Sequence, residues 1–242
     1  MAMNGVILDA LLKIARQFPE GSRFASLGYP DLLVPRSKLT DCFGVDALAA
    51  AARRPDSDGI LALHGLTGQM ECVYDTVDLL ASRGIMMDCL DIVAARGSEI
   101  VVDLNEPIEQ ALVSQYDIVL DGGTMEHCFN VPQVLKNILA MTKPGGYIIH
   151  VNPLNMFNHG FYSFSPTFYH DFYTQSGNRL ASDLYGFNGP VLTPHVFTLP
   201  AVQRFDKAPE RACIVVVAQK LVEGAVGWPV QTKYLGMIPK TA

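Results

Sequence analysis

Several features are missing from the 242-residue chain, and each absence removes a class of function. No run of lysines or arginines occurs, and 18 basic against 24 acidic side chains leave a net charge of −6, so nothing can neutralise a phosphate backbone. Nucleic acid is therefore not an expected partner. No stretch approaches the roughly 20 apolar residues that cross a bilayer, which excludes a helical membrane span. The five cysteines (Cys42, Cys72, Cys89, Cys128 and Cys213) are odd in number, scattered, and without a C-x-x-C pair, so they fit reduced thiols in a cytoplasm. H-E-x-x-H, H-x-x-x-H and G-x-S-x-G are also absent, which argues against a zinc hydrolase and a serine hydrolase elbow. No metal is expected on these grounds.

What remains is a chain that is 49% hydrophobic, enough for one large core, and a single domain over 1–242 is expected. The N-terminal segment 1–21 carries apolar residues at helical spacing, interrupted by Asp9, Lys13 and Arg16. It reads as an amphipathic helix, whose exposed face decides between covering its own sheet and forming a homo-oligomer. "RFASLGYPDLLVP" predicts a strand, a turn at Gly28 and Pro30, and a second extended piece. "SKLTDCFGVDALAAAARR" predicts helix, with Ser37 or Thr40 as cap. "GILALHGLTGQ" is compatible with a strand or a buried helical turn. "MECVYDTVDLLASRG" predicts a helix with Val73, Val77, Leu80 and Ala81 on one face and Gly84 as its stop.

Then "IMMDCLDI", "SEIVVDLN", "YDIVLDGG" and "GGYIIHVNP" each read as a short buried strand, with "EPIEQALVSQ" and "VPQVLKNILAMTKP" as helical connections between the last three. Alternation of this kind predicts an α/β, Rossmann-like, doubly wound and mostly parallel sheet. Ligands gather at the carboxyl ends of such strands, which is where Asp121-Gly122-Gly123 and the pair Glu126-His127 fall. Residues 154–178, rich in aromatics, amides and histidine, are expected to form a lid or substrate wall, with a helix started by Pro166 and capped by Ser165. "RLASDLYGF" and "RACIVVVAQKL" predict two closing strands.

This order of elements, with "YDIVLDGGTMEH" and "MTKPGGYIIHVNP", resembles the class I S-adenosylmethionine-dependent methyltransferase family. The likeness covers about residues 22 to 220 in element order, and "SLGYPDLLV", "DLNEP", "DGGTMEHCFN" and "HGFYSFSP" are its more specific strings. It implies that fold, with a C-terminal antiparallel strand, and S-adenosylmethionine as cofactor. It also implies an acid at the end of the second strand that accepts from the ribose hydroxyls. Asp88 and Asp91 both qualify, and Asp88, nearer the apolar run, is preferred. Asp103 and Leu104 would border the adenine, and Gly28, Asp121 and Gly122 would line the cofactor. The first loop departs from the family pattern, with Ser26 in place of an acid and Tyr29 and Pro30 in place of glycines.

For each candidate a bland reading stands beside the chemical one. Asp121 can cap the next helix, and Glu126 in a first helical turn is favoured by the dipole without any chemistry. His127 can serve as a base or donate a single hydrogen bond. His150 reads as a satisfied core histidine. His159 and Tyr162, on a glycine-flanked aromatic loop, read as substrate contacts or acid/base groups. The implied function is methyl transfer to an oxygen or nitrogen of a small-molecule substrate, with His127 or His159 as base and Glu126 orienting it. The second reading is the same fold running isomerisation, cyclisation or hydrolysis, and the third is a non-catalytic binding subunit.

Overall fold

The computed structural model describes residues 2–223 and 227–237; Met1 and the ends of the expected domain at 224–226 and 238–242 lie outside them. The chain opens with β1 (Ala2–Met3) and α1 (Gly5–Ala15), which starts at Asn4 because its side-chain oxygen accepts from the amides of Val6 and Ile7. Ile7, Leu8, Leu11, Leu12 and Ile14 of α1 are buried in the same cluster as Phe24, Ile149 and Val217 of the sheet, so this helix covers its own sheet. The helix is shorter than 1–21, and β1 in front of it was not anticipated.

β2 (Ser22–Leu27) leads through Gly28 to β3 (Asp31–Leu32), which pairs with β1. The alanine-rich segment forms α2 (Arg36–Phe43) and α3 (Val45–Ala50), interrupted at Gly44; neither Ser37 nor Thr40 caps α2, because Pro35 occupies the cap position and the Thr40 hydroxyl donates to the Arg36 carbonyl. The ambiguous run is helical as α4 (Ser57–Leu63). α5 (Thr76–Ala81) starts only at the Asp75 cap and buries Leu79 and Leu80, while Val77 faces out.

β4 (Ile85–Asp91), β5 (Ile100–Val101), β6 (Tyr116–Asp121), α6 (Val131–Met141) and β7 (Thr142–Pro153) follow. The expected helix over 106–115 is absent, and only a 3-10 turn at Gln110–Leu112 forms, with no buried residue. Ile108 and Leu112 pack only partly buried against the core, so a segment beginning at Glu106-Pro107 gains too little to offset helix nucleation. α7 (Pro166–Gln175) starts at the expected proline, although Ser165 makes no side-chain cap bond. β8 (Arg179–Leu180), β9 (Tyr185–Asn188), β10 (His195–Thr198) and β11 (Cys213–Gln219) close the fold, so "RLASDLYGF" splits between two strands and β10 is additional.

The large sheet runs β10-β9-β11-β7-β6-β2-β4-β5, with β8 against β11. β5, β4, β2, β6 and β7 are mutually parallel, and β11 is antiparallel to β7. Alternate residues feed opposite layers: Ile149, Val215 and Val217 join α1, α2, α3 and α5, whereas Ile148, Ile214 and Val216 join α6 and α7. Both layers are closed, as the doubly wound reading requires. Strand order reverses between β2 and β6, so the switch point, where ligands sit in such sheets, lies between Gly28 and Asp121-Gly122-Gly123. Among the described residues no helix is long and apolar enough to cross a membrane.

Candidate functional site

At the carboxyl edge of β2, Gly28 has φ +81°, a conformation that strongly favours glycine, and its amide donates to the Leu90 carbonyl of β4. A side chain there would face Thr124 Oγ1 at 3.6 Å and Asp91 Oδ2 at 3.9 Å, so the glycine keeps a slot open between the ends of β4 and β6. Ser26, in the place of an acid, donates through its hydroxyl to the Gly28 carbonyl and fixes the turn. Across the slot the Thr124 hydroxyl donates to the Leu27 carbonyl, tying the two loops together.

Two cavities open on this edge. The larger, about 580 Å³, is bordered by Asp91, Gly122, Glu126, His127 and His159. The smaller, about 250 Å³, lies among Leu90, Asp91, Asp103, Leu104 and Cys128, and both share Gly28, Asp91, Gly123, Thr124 and His127. On one wall of the larger, the guanidinium groups of Arg54 and Arg96 lie against the Tyr29 ring, at 4.3 and 4.2 Å from its centroid.

The expected residues divide. Gly28, Asp103, Leu104 and Gly122 border the cavities, and Glu126, His127 and His159 come together in the larger. Asp88 does not reach either. It lies three residues short of the end of β4, in a 2.5 Å ion pair with Arg23, while Asp91 ends the strand and borders both cavities. The preference for Asp88 is thus corrected: β4 runs on through the buried Cys89 and Leu90 to Asp91. Asp121 is fully buried and faces inward. Its Oδ1 accepts from the amides of Thr124 and Met125 at 3.2 and 3.0 Å, and its Oδ2 from His150 Nδ1 at 2.8 Å and Asn152 at 3.0 Å. The capping reading holds for it, and its side chain lines neither cavity. Tyr162 is also corrected. Its hydroxyl donates to the Phe129 carbonyl, and its ring borders a separate apolar groove with Phe168 and Trp228.

The interior of the site is a chain of hydrogen bonds behind Glu126. His150, fully buried, donates to Asp121 and accepts at Nε2 from the Tyr173 hydroxyl at 2.6 Å. Asn152 donates to both Asp121 and Glu126 Oε2, the latter at 2.9 Å, and accepts from Tyr169 at 2.5 Å. These groups leave Glu126 Oε1 toward the histidines, 3.6 Å from His159 Nε2 and 4.0 Å from His127 Nε2. Burial, reinforced by the charge on Asp121, pushes the Glu126 carboxyl up to about 7. Burial and the neighbouring His159 lower His127, so at neutral pH its imidazole is neutral and able to accept a proton.

Local backbone explains how the loop after β7 reaches Glu126. The Phe161 amide donates to the Glu126 carbonyl at 2.8 Å, and a side chain at Gly160 would sit 2.7 Å from that oxygen. Only glycine lets the loop lie this close, and His159 is the residue before it. The preceding Asn158 takes φ +56°, a conformation Asn tolerates better than most residues. Of the segment 154–178, the loop part borders the cleft through Met156 and His159, whereas Tyr169, Phe172 and Tyr173 of α7 are core. Asp91 was weighed and passed over in the sequence; Gly123, Thr124 and Asn152 carried no signal apart from their place beside the strand ends.

No family model matches the chain, and no curated protein matches it. Among solved structures it is similar to the selenomethionine-substituted CurJ carbon methyltransferase, at 11% identity and a TM-score of 0.49 over 91% of this chain and 54% of that one. It is also similar to the citrinin polyketide synthase CMeT domain, at 13% identity and a TM-score of 0.47 over 90% of this chain and 51% of that one. A third is the N-methyltransferase NodS from Bradyrhizobium japonicum WM9 in complex with S-adenosyl-L-homocysteine, at 10% identity and a TM-score of 0.44 over 90% and 88%. The chain spans about half the length of the first two. Similarity at this level carries no chemistry across. The chain's own strand order, with antiparallel β11 set beside β7, makes the fold class α/β, Rossmann-like and doubly wound, as the methyltransferase resemblance implied.

Proposed function

We propose that the protein is an S-adenosylmethionine-dependent methyltransferase acting on an oxygen or nitrogen of a small molecule. The observation that carries this reading is the paired cavity at the switch point, walled by the Gly28 turn on one side and Gly122-Gly123 on the other. The slot that a side chain at Gly28 would fill fits the methionine part of the cofactor, and the smaller cavity, floored by Leu104, fits an adenine. Asp91, with its carboxylate at the strand end, fits the ribose hydroxyls as an acceptor. S-Adenosylmethionine bound there supplies an electrophilic methyl group.

The rest of the chemistry belongs to this chain. In-line transfer to an oxygen or nitrogen needs the acceptor held about 3 Å from the carbon, and the larger cavity is where an acceptor fits. Transfer to a hydroxyl also requires that its proton leave. The imidazole of His127 or His159 takes that proton, and Glu126 behind them stabilises the imidazolium that forms. A net acidic chain without a basic run favours a small metabolite over a nucleic acid as acceptor.

Calorimetric titration with S-adenosylmethionine and S-adenosylhomocysteine tests the proposal. Micromolar binding is expected. The absence of any heat at millimolar ligand would remove methyl transfer and leave the reading in which Glu126, His127 and His159 carry other chemistry on this fold.

A further inference from the structure

We propose that Glu126, His127 and His159 form a binding site for one divalent first-row transition-metal ion of the zinc, cobalt or manganese type, opening onto the larger cavity. Glu126 Oε1 and one ring nitrogen from each histidine lie within 4.8 Å of one another. An ion bonded at about 2.1 Å to three such ligands sets neighbouring ligand atoms roughly 3.4 Å apart in a tetrahedral arrangement. Of the two carboxylate–imidazole separations, that to His159 at 3.6 Å is close to this value and that to His127 at 4.0 Å must shorten by about half an ångström. The imidazoles must draw closer to each other, and both side chains are about half exposed (50% and 48%), which leaves their rings room to turn.

Three further observations favour an ion over a chance cluster. Glu126 is 1% exposed and its Oε2 is held by Asn152, itself fixed by Tyr169, so the carboxylate is oriented from behind as metal ligands commonly are. The third ligand arrives on a loop that Gly160 and the Phe161 amide pin against the Glu126 carbonyl, so all three stand on one braced unit. Finally, three protein ligands leave further positions vacant, and the cavity of about 580 Å³ lies in front of them. Two imidazoles and one carboxylate suit borderline ions and disfavour magnesium and calcium, which select oxygen.

The inference rests on ligand geometry and goes beyond the methyl-transfer reading. With an ion in place the imidazoles act as ligands and no longer as the base; the metal would lower the pKa of a bound acceptor hydroxyl, and its proton would leave to solvent through the open cavity. The acceptor class narrows accordingly to molecules that offer a metal-binding oxygen.

The test uses the full chain without an affinity tag, stripped with chelator and then freed of it. Zinc, cobalt, manganese and magnesium are titrated separately by calorimetry, with no methyl donor present. One zinc or cobalt ion per chain is expected, with magnesium far weaker, and His127→Ala or His159→Ala should weaken binding by about tenfold or more. His195→Ala, an exposed histidine outside the cluster, should bind as the parent does. No zinc binding, or equal affinity in a His127→Ala/His159→Ala double variant, overturns the proposal. Should the variants fold poorly, zinc must protect His127 and His159 of the parent protein from diethylpyrocarbonate while His195 still reacts; equal labelling overturns it. Because cofactor titration needs no metal and metal titration needs no cofactor, the two readings fail separately.

Discussion

Two acids three residues apart on one strand offer a sharp test of where a cofactor would sit. Asp91 ends β4 and borders both cavities, whereas Asp88 is bound to Arg23 away from them. If Asp91 holds the ribose, Asp91→Ala removes charge-assisted hydrogen bonds of about 1.5–3 kcal/mol, which is roughly a 10- to 150-fold weaker Kd. Asp91 Oδ1 also accepts from the Val93 amide at 3.3 Å, so Asp91→Asn, which retains a neutral acceptor, separates loop support from charge. Asp88→Ala breaks an ion pair whose side chains are 32% and 36% exposed; it should cost at most about 1 kcal/mol of stability and leave the Kd unchanged. The assay is calorimetric titration of S-adenosylhomocysteine into each variant, with thermal unfolding run alongside. Parent-like affinity in Asp91→Ala, or weakened affinity in Asp88→Ala at an unchanged Tm, would refute the placement.

Other perturbations address the interior of the site. The Glu126 carboxyl is raised from an ordinary 4.5 to about 7, so between these values the folded protein binds more protons than the unfolded chain. Stability is therefore lost as pH rises through that window, by on the order of a few kcal/mol in chelated protein. Glu126→Gln should flatten that decline, and denaturant midpoints measured from pH 4 to 8 would show an equally steep profile if the carboxyl were not the cause. Gly160→Ala forces a methyl against the Glu126 carbonyl and should cost about 1–3 kcal/mol while displacing His159; an unchanged melting temperature would mean that the loop yields freely. Asn152→Ala leaves the Tyr169 hydroxyl and Glu126 Oε2 without this partner and takes one of its hydrogen bonds from Asp121, for roughly 3 kcal/mol by urea unfolding, and a loss below about 0.5 kcal/mol would show that the network is not needed for folding.

What was legible in the sequence follows the range of the forces involved. β2, β6 and β7 were readable because each buries a short apolar run on both faces, whereas β5 is an edge strand with Val101 60% exposed, and the switch point appears only with the strand order of the sheet. Strand ends were not readable, since β4 continues through Cys89, Leu90 and Asp91 by pairing with β2, which is far off in sequence, and with the short edge strand β5. Asp121 shows local competition: two backbone amides within four residues and two side chains from β7 claim the carboxylate before any ligand can. The 3-10 turn in place of a helix near Gln110 shows the reverse, helix-compatible residues whose apolar side chains, Ile108 and Leu112, are only partly buried against the core.

The central cluster lay beyond reach for a different reason. Ligand spacing within one element is a property of a helix, but Glu126 and His159 stand in separate loops after successive parallel strands, β6 and β7. Parallel neighbours place their carboxyl ends side by side, so any two loops that follow them converge whatever their separation in sequence. In the sequence Gly160 only flanks His159 on a loop; the structure shows it as a contact surface, where the missing side chain lets the His159 loop lie on the Glu126 carbonyl. A histidine followed by glycine after one strand, with an acid-histidine pair after the strand before it, is thus a pattern whose meaning depends on sheet order. Its chemistry becomes readable only once β6 and β7 are known to be adjacent.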